Sequence, residues 1–265
     1  MAKLTGVFPA QKKNGTLYYR SSITYHSKHI SLGSYDTETQ AHHAYLCASH
    51  ILAGDTRLTP EDYDNEPLSF TKWVVLTNFK NNGIYIKTPI YLRSNYFHYY
   101  LSQTDVLLFD ADDLFYYSNH SIMRRGSHLF VADYGMQVNI ASRYGIKNFA
   151  VKDKDYRFVN GDDHDLRYSN IEIINPYYGV SQITDTFSTG FLTKIHVRGD
   201  WIVGRFQTLT EAAIAYNKAI DLLAEHGIRK NYTPNYLSEL SAAEYASIYH
   251  ELSLEPRFLS YLNSL

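Results

Sequence analysis

Cysteine is almost missing: Cys47 stands alone in 265 residues. That excludes an intrachain disulfide and any cysteine-built zinc site, and it fits a reducing compartment. Long apolar runs are missing too. The opening stretch, MAKLTGVFPAQKKNG, holds none long enough for a secretory signal, and no later segment approaches the roughly 20 residues of a bilayer span. A cytoplasmic protein with no membrane partner is expected. There is no glycine-rich phosphate loop and no nucleophile elbow. The histidines His26, His29, His42, His43, His98, His120 and His128 lack ligand spacing with paired carboxylates, so neither a metal nor a cofactor is expected. An excess of cations is also absent. With 25 Lys and Arg against 27 Asp and Glu the net charge is -2, a total that by itself speaks against a nucleic-acid partner.

What is present is tyrosine, 25 copies of it, a residue whose flat apolar face and polar tip suit both strands and contact surfaces. There is also an internal repeat. ITYHSKHISLGSYDTETQAHHAY at 23–45 and IHVRGDWIVGRFQTLTEAAIAY at 195–216 follow one plan. A strand reaches a tight turn, a second strand ends on Leu-Gly or Val-Gly, and an aromatic and a Thr lead into an alanine-rich helix. Setting Gly33 on Gly204 also aligns Tyr35 with Phe206, Thr37 with Thr208, Ala41 with Ala212, Ala44 with Ala215 and Tyr45 with Tyr216. Such self-similarity signals repeated structural units.

The repeats are the less acidic parts of the chain. Up to residue 54, Lys3, Lys12, Lys13, Arg20 and Lys28 face only Asp36 and Glu38. From 178 to 232, six cations face five acids, so the negative charge gathers in the remainder. In both copies most cations precede the helix, on strands and turns.

Alternation over 16–32 predicts a hairpin with Tyr19, Ser21, Ile23 and Tyr25 inward, Arg20, Ser22, Thr24 and His26 outward, and a turn at Ser27-Lys28. Thr37-x-x-Gln40 and Thr208-x-x-Glu211 have capping-box spacing. Ala41, Ala44, Tyr45, Ala48, Ile51 and Leu52 then give one helical face ending at Gly54. EDYDNEP at 61–67 is the expected boundary. Beyond it, Trp73–Leu76, Ile84–Ile86, Val106–Phe109 and His128–Val131 read as short strands and Val138–Tyr144 as a helix. In the second copy Leu192, Lys194, His196 and Arg198 alternate with Phe191, Ile195 and Val197. Ser241-x-x-Glu244 opens a helix through Tyr245, Ile248, Tyr249 and Leu252 that Pro256 interrupts, a packing element or a dimerisation element.

The repeated pattern resembles the Apetala-two/ethylene-response-factor DNA-binding domain, which occurs in bacterial and phage proteins as well. The resemblance implies a three-stranded antiparallel sheet that enters the DNA major groove with a helix behind it. The residues it places toward DNA are Arg20, Ser22, Thr24, His29 and Ser31 in the first copy and Lys194, His196, Arg198 and Ile202 in the second. Lys12, Lys13 and Arg205 join them as cations on the same strands and turns. FVNGDDHDLRYSNI at 158–171 resembles the HNH homing-endonuclease segment, with Asn160-Gly161-Asp162 and Ser169-Asn170-Ile171 matching. Phe158 stands at the general-base position, Leu166 at the Asn position, and Gln137 near the first His. Without a base and metal ligands, hydrolysis lacks its nucleophile and its Lewis acid. His164 with Asp162, Asp163 and Asp165 forms an acidic turn, read as solvated.

The expected fold is α+β: two small three-stranded antiparallel sheet plus helix modules at 1–64 and 177–235, flanking a degenerate ββα-type domain at 65–176, with a helical tail at 236–265. The expected function is non-enzymatic, sequence-specific binding of double-stranded DNA in transcription regulation, in a cytoplasmic, nucleoid-associated protein that can dimerise through the middle domain or the tail. A metal-dependent HNH-type endonuclease using substitute residues and a protein-binding adaptor are the alternatives.

Overall fold

The computed structural model describes residues 4–64, 67–148, 150–185 and 188–265. Lys3 and positions 65–66 of the expected boundary segment lie outside them. The chain is α+β and divides into two compact units, Met1–Ile140 with Asp162–Asn170, and Ala141–Gly161 with Ile171–Leu265.

The first unit opens with β1 (Val7–Gln11), β2 (Leu17–Tyr25) and β3 (Lys28–Tyr35), an antiparallel sheet in that order. The β2–β3 turn is His26–Ser27, one residue earlier than Ser27-Lys28. Tyr25 pairs with Lys28, and both loop residues take positive φ, 45° and 60°, as a two-residue hairpin with the right-handed strand twist requires. Helix α1 (Glu38–Ala53) starts at Thr37 with both halves of the capping box to Gln40 in place. Its Ala41, Ala44 and Ala48 are fully buried, and Ala44 and Ala48 share a cluster with Ile30 and Leu32 of β3. The chain entering β1 passes so near this helix that a Cβ on Gly6 (φ 77°) would lie 2.0 Å from the Tyr45 ring.

Residues Trp73–Leu76 are helical rather than extended. They lie in α2 (Phe70–Asn82), which is capped by the Ser69 hydroxyl and ended by left-handed Gly83. The helix is buried on two sides, which hides its period. Trp73, Leu76 and Phe79 join the cluster of α1 and β3, while Val74 meets Tyr91 and Tyr100. The expected boundary near residue 64 is therefore bridged by packing, and the Trp73 indole N–H donates to the Thr59 carbonyl at 2.8 Å. After Ile84–Ile86, which forms no strand, come β4 (Ile90–Leu92), β5 (Tyr96–Tyr100) and β6 (Val106–Asp110) in one sheet. Helix α3 (Leu114–Asn119) leads to a second sheet of β7 (Ile122–Arg125), β8 (His128–Asp133) and β9 (Met136–Asn139). The helix expected at Val138–Tyr144 is the end of β9 followed by a 3-10 stretch, Ile140–Tyr144.

In the second unit, β10 (Tyr156–Phe158) and β11 (Ile171–Ile173) form a hairpin. Among the described residues no α-helix lies between α3 and α4, so the ββα plan supplies only its two strands. Then β12 (Val180–Asp185), β13 (Ser188–His196), β14 (Asp200–Phe206) and α4 (Leu209–Glu225) repeat the first module, capping box included. Gly179 (φ 69°) lies against Tyr216 as Gly6 lies against Tyr45, at 2.2 Å from an added Cβ. Pro256 opens a new helix instead of only ending one. It follows α5 (Ala242–Glu251) and sits in the first turn of α6 (Pro256–Leu262), where its missing N–H costs nothing. Phe258 and Leu262 are buried with Ile195, Val203 and Ala219, so the tail packs on its own module. Among the described residues no helix is long and apolar enough to cross a membrane.

Gly6→Ala and Gly179→Ala should each lower stability by about 2–5 kcal/mol, because the methyl overpacks a ring already in place, and at Gly179 the Lys194 carbonyl as well, in addition to the left-handed backbone term. Gly83→Ala, equally left-handed but with nothing within 4 Å of its Cβ, should lose only the backbone term, about 1 kcal/mol. Urea midpoints of the three variants check this.

A second prediction concerns pH. The Glu61 carboxyl is pushed up by burial, but hydrogen bonds from its backbone N–H, Thr59 and Tyr100, and the Arg93 charge, hold it below the usual range. Burial and then Arg93 also lower His98. A group whose folded pKa is depressed gives stability above its unfolded value that is lost as pH falls through the folded one. Urea midpoints should drop on acidification, and Glu61→Gln should flatten the part below pH about 4.3.

Candidate nucleic-acid interface

The outward face of each ribbon is set by a β-bulge. In the first module Ser21 pairs with Gly33 but Ser22 pairs with Ser31, so Leu32 is the extra residue on β3. In the second, Thr193 pairs with Gly204 and Lys194 with Ile202, leaving Val203 as the extra residue. Simple alternation would send Arg205 to the same side as buried Val203. The bulge shifts the phase, so Tyr35 and Phe206 pack against the cores while Ser34 and Arg205 are exposed. A bulge re-aims side chains in this way.

On the first face Arg20, Thr24, His29 and Ser31 are exposed and Ser22 is half-buried. Arg20 faces Phe8 on one side and Ser34 on the other. Its guanidinium is held by the Tyr18 hydroxyl, which accepts from Nε at 3.1 Å and from Nη2 at 2.7 Å. These two bonds restrict the rotamers of the exposed arginine. Lys12 and Lys13 are exposed in the β1–β2 connection, and Lys28 at the other end lies 5.2 Å over the Tyr85 ring.

On the second face Lys194, His196, Arg198 and Arg205 are all exposed and Ile202 is half-buried. Arg205 pairs with Leu192, Lys194 with Ile202 and His196 with Asp200. Arg198 is not on a strand. It occupies the three-residue turn 197–199 with φ 55°, closed by the Val197 N–H on the Gly199 carbonyl at 2.8 Å. The base of that turn is tied down by the Tyr232 hydroxyl, which donates to the His196 carbonyl at 2.9 Å. His196 Nδ1 lies 2.7 Å from the Asp200 carboxylate. That hydrogen bond, aided by the charges of His196 and Lys194, holds Asp200 below the usual carboxylate range. Asp200 is thus an anion on an otherwise cationic face.

All the residues assigned to DNA contact therefore reach the surface, on ribbon faces or their turns. Tyr18 and Ser34 share this face and are not among the residues assigned from the sequence. Tyr18 was legible, being two residues from Arg20 on an alternating strand and hence on the same face; Ser34 depended on the bulge.

The HNH-like segment offers apolar or neutralised groups where chemistry would be needed. Phe158 lies in β10, edge-on to Tyr156 with ring centroids 5.8 Å apart and with the Lys152 ammonium 5.3 Å from its ring. Leu166 is buried, and its N–H donates to the Leu108 carbonyl. Gln137 accepts from Arg125 at 2.9 Å, so a guanidinium sits beside it. The turn itself is well pinned: Asn170, buried, donates from Nδ2 to the Asp162 and Asp165 carbonyls at 3.1 and 2.8 Å. Asp162, Asp163 and His164 come within 4.8 Å of one another. His164 is already engaged, with Nδ1 2.8 Å from Asp163 and Nε2 3.3 Å from Asp105. Arg124 doubly hydrogen-bonds Asp105 and lies 3.5 Å from the same Nε2.

No family model, no characterised protein and no solved structure matches this chain.

Proposed function

We propose that the protein is a sequence-specific double-stranded DNA-binding protein, acting in transcription regulation, that lays its two ribbon faces in the major groove. The observation that carries this reading is the repeated ribbon whose inner face is sealed by a helix while its outer face exposes Arg20 in one copy and Lys194 and Arg205 in the other. A ribbon of this width fits the major groove, where an Arg bidentate to guanine is worth roughly 1–3 kcal/mol. Lys12, Lys13 and Arg198, at ends and turns, suit phosphate contacts that position the ribbon without reading sequence. The overall charge of -2 is no obstacle, because a local face and not the sum meets the duplex. One module makes few contacts, and two on one chain raise the affinity through effective concentration. The resemblance to Apetala-two/ethylene-response-factor domains supports the same reading, and with it a place beside the nucleoid in the cytoplasm.

Fluorescence anisotropy at low salt, on duplexes enriched from a random pool, tests it. Arg20→Ala and Arg198→Ala should each weaken binding, Arg20→Ala by about 10-fold or more on the selected sequence and Arg198→Ala by a similar factor on all sequences with a shallower salt slope. Retention of no duplex at low salt would overturn the proposal; unchanged affinity in both variants would overturn the site assignment.

The Asn160-Gly161-Asp162 turn keeps a nuclease reading in view. With Phe158, Leu166 and Gln137 where a base and ligands would be, supercoiled plasmid should stay intact with magnesium, manganese or zinc. Nicking in any of these, abolished by Asp162→Ala, would establish the nuclease instead.

A further inference from the structure

Resting on the DNA-binding reading, we infer that the two modules read different base sequences, so that the recognised duplex is an asymmetric two-part site and not a repeat of one half-site. The ladders define which positions correspond. Val7 opposite Ser21 matches Val180 opposite Thr193, and the bulges at Ser21/Ser22 and Thr193/Lys194 fix the rest. Most inward positions then agree between the copies, Trp201 in the place of Ile30 being the main exception. Val7 and Val180, Ile23 and Ile195, Leu32 and Val203, and the alanines of α1 and α4 are the same or nearly the same residue in the same place.

Outward positions do not agree anywhere. Tyr18 corresponds to Gly190, Arg20 to Leu192, Ser22 to Lys194, Thr24 to His196, His29 to Asp200, Ser31 to Ile202 and Ser34 to Arg205. The guanidinium has changed strands. In the first copy Arg20 on the central strand faces Ser34; in the second, Leu192 on the central strand faces Arg205. Neighbouring strands are about 4.8 Å apart, more than the roughly 3.4 Å between successive base pairs, so an arginine moved by one strand is displaced by more than one base-pair step.

The surrounding chemistry differs as well. Arg20, with Ser34 opposite it and Ser22, Ser31 and Thr24 following along the ribbon, suits guanine followed by bases tolerated by hydroxyls. Arg205 beside Leu192 and Ile202 suits guanine next to a thymine methyl, and the Asp200 carboxylate suits a cytosine amine. A duplicated scaffold with no outward residue retained presents two unlike patterns of donors.

The test is selection of duplexes from a random pool by the full chain, read by sequencing, followed by the same selection with Arg20→Ala, Arg205→Ser and the double variant Leu192→Arg/Arg205→Ser. The substituted side chains lie on the outward face, and unchanged thermal unfolding checks that each variant folds. The expected result is a motif with two dissimilar halves. Arg20→Ala should flatten a guanine preference of about 10-fold or more in one half only, and Arg205→Ser in the other only. The double variant, which returns the cation to the central strand, should shift the second half toward the first. Two identical halves, or a single half insensitive to Arg205→Ser, would overturn the inference and leave DNA binding standing. No enrichment of any duplex would overturn both.

Discussion

Each module depends on how closely a helix can lie on a three-stranded ribbon. Ala41, Ala44 and Ala48 in one copy, and Ala212, Ala215 and Ala219 in the other, have no measurable exposure. Larger residues there would hold the helix off the sheet, and dispersion falls steeply with even a small gap. The same nearness explains the glycines entering each sheet, where the backbone rests on the ring of Tyr45 or Tyr216. Because most apolar side chains of a narrow ribbon are gathered against this helix, the opposite face carries most of its polar residues, with Phe8, Leu192 and Ile202 set among them. The shape that stabilises the module thereby supplies the surface proposed to meet DNA.

The bulge connects that scaffold to its chemistry. One extra residue on the third strand lets Leu32 and Tyr35, or Val203 and Phe206, both serve the core although two residues lie between them, which simple alternation would put on opposite faces. It also turns Ser34 and Arg205 outward. A strand without it would bury a guanidinium or expose an aromatic. The duplicated position of this irregularity ties two faces of different composition to one frame.

Much of this was legible in the residues. The capping boxes at Thr37, Thr208 and Ser241 placed three helix starts correctly, because the signal is local and stereochemical. The alanine face read correctly because one side of α1 is apolar and the other is not. Helix α2 was read as a strand since Trp73 through Phe79 is buried all round, including Thr77 and Asn78, and a helix packed on two sides has no polar stripe to reveal its period. The turn at His26–Ser27 carries neither Asn nor Gly to announce its positive φ, whereas Arg198 reads as strand because the alternation of Lys194 and His196 runs on through it, although Gly199 marks the turn. Pro256 looked like a terminator because proline at a first helical position and proline after a last one have the same spelling. The mark of the phase change is the isolated glycine beside each bulge, Gly33 and Gly204, and Ser34 was legible only through it.

Neither sheet and its own helix close the core alone. In the first copy the remaining side of the cluster is filled by Trp73, Leu76 and Phe79 of α2, and in the second by Leu254, Phe258 and Leu262 around α6. These completing helices come from sequence outside the duplication, one directly after its module and the other from the end of the chain, and they share no pattern. The duplicated segment is thus smaller than the unit that folds. A ribbon moved into another protein therefore needs its completing helix with it, or one side of its core stays open.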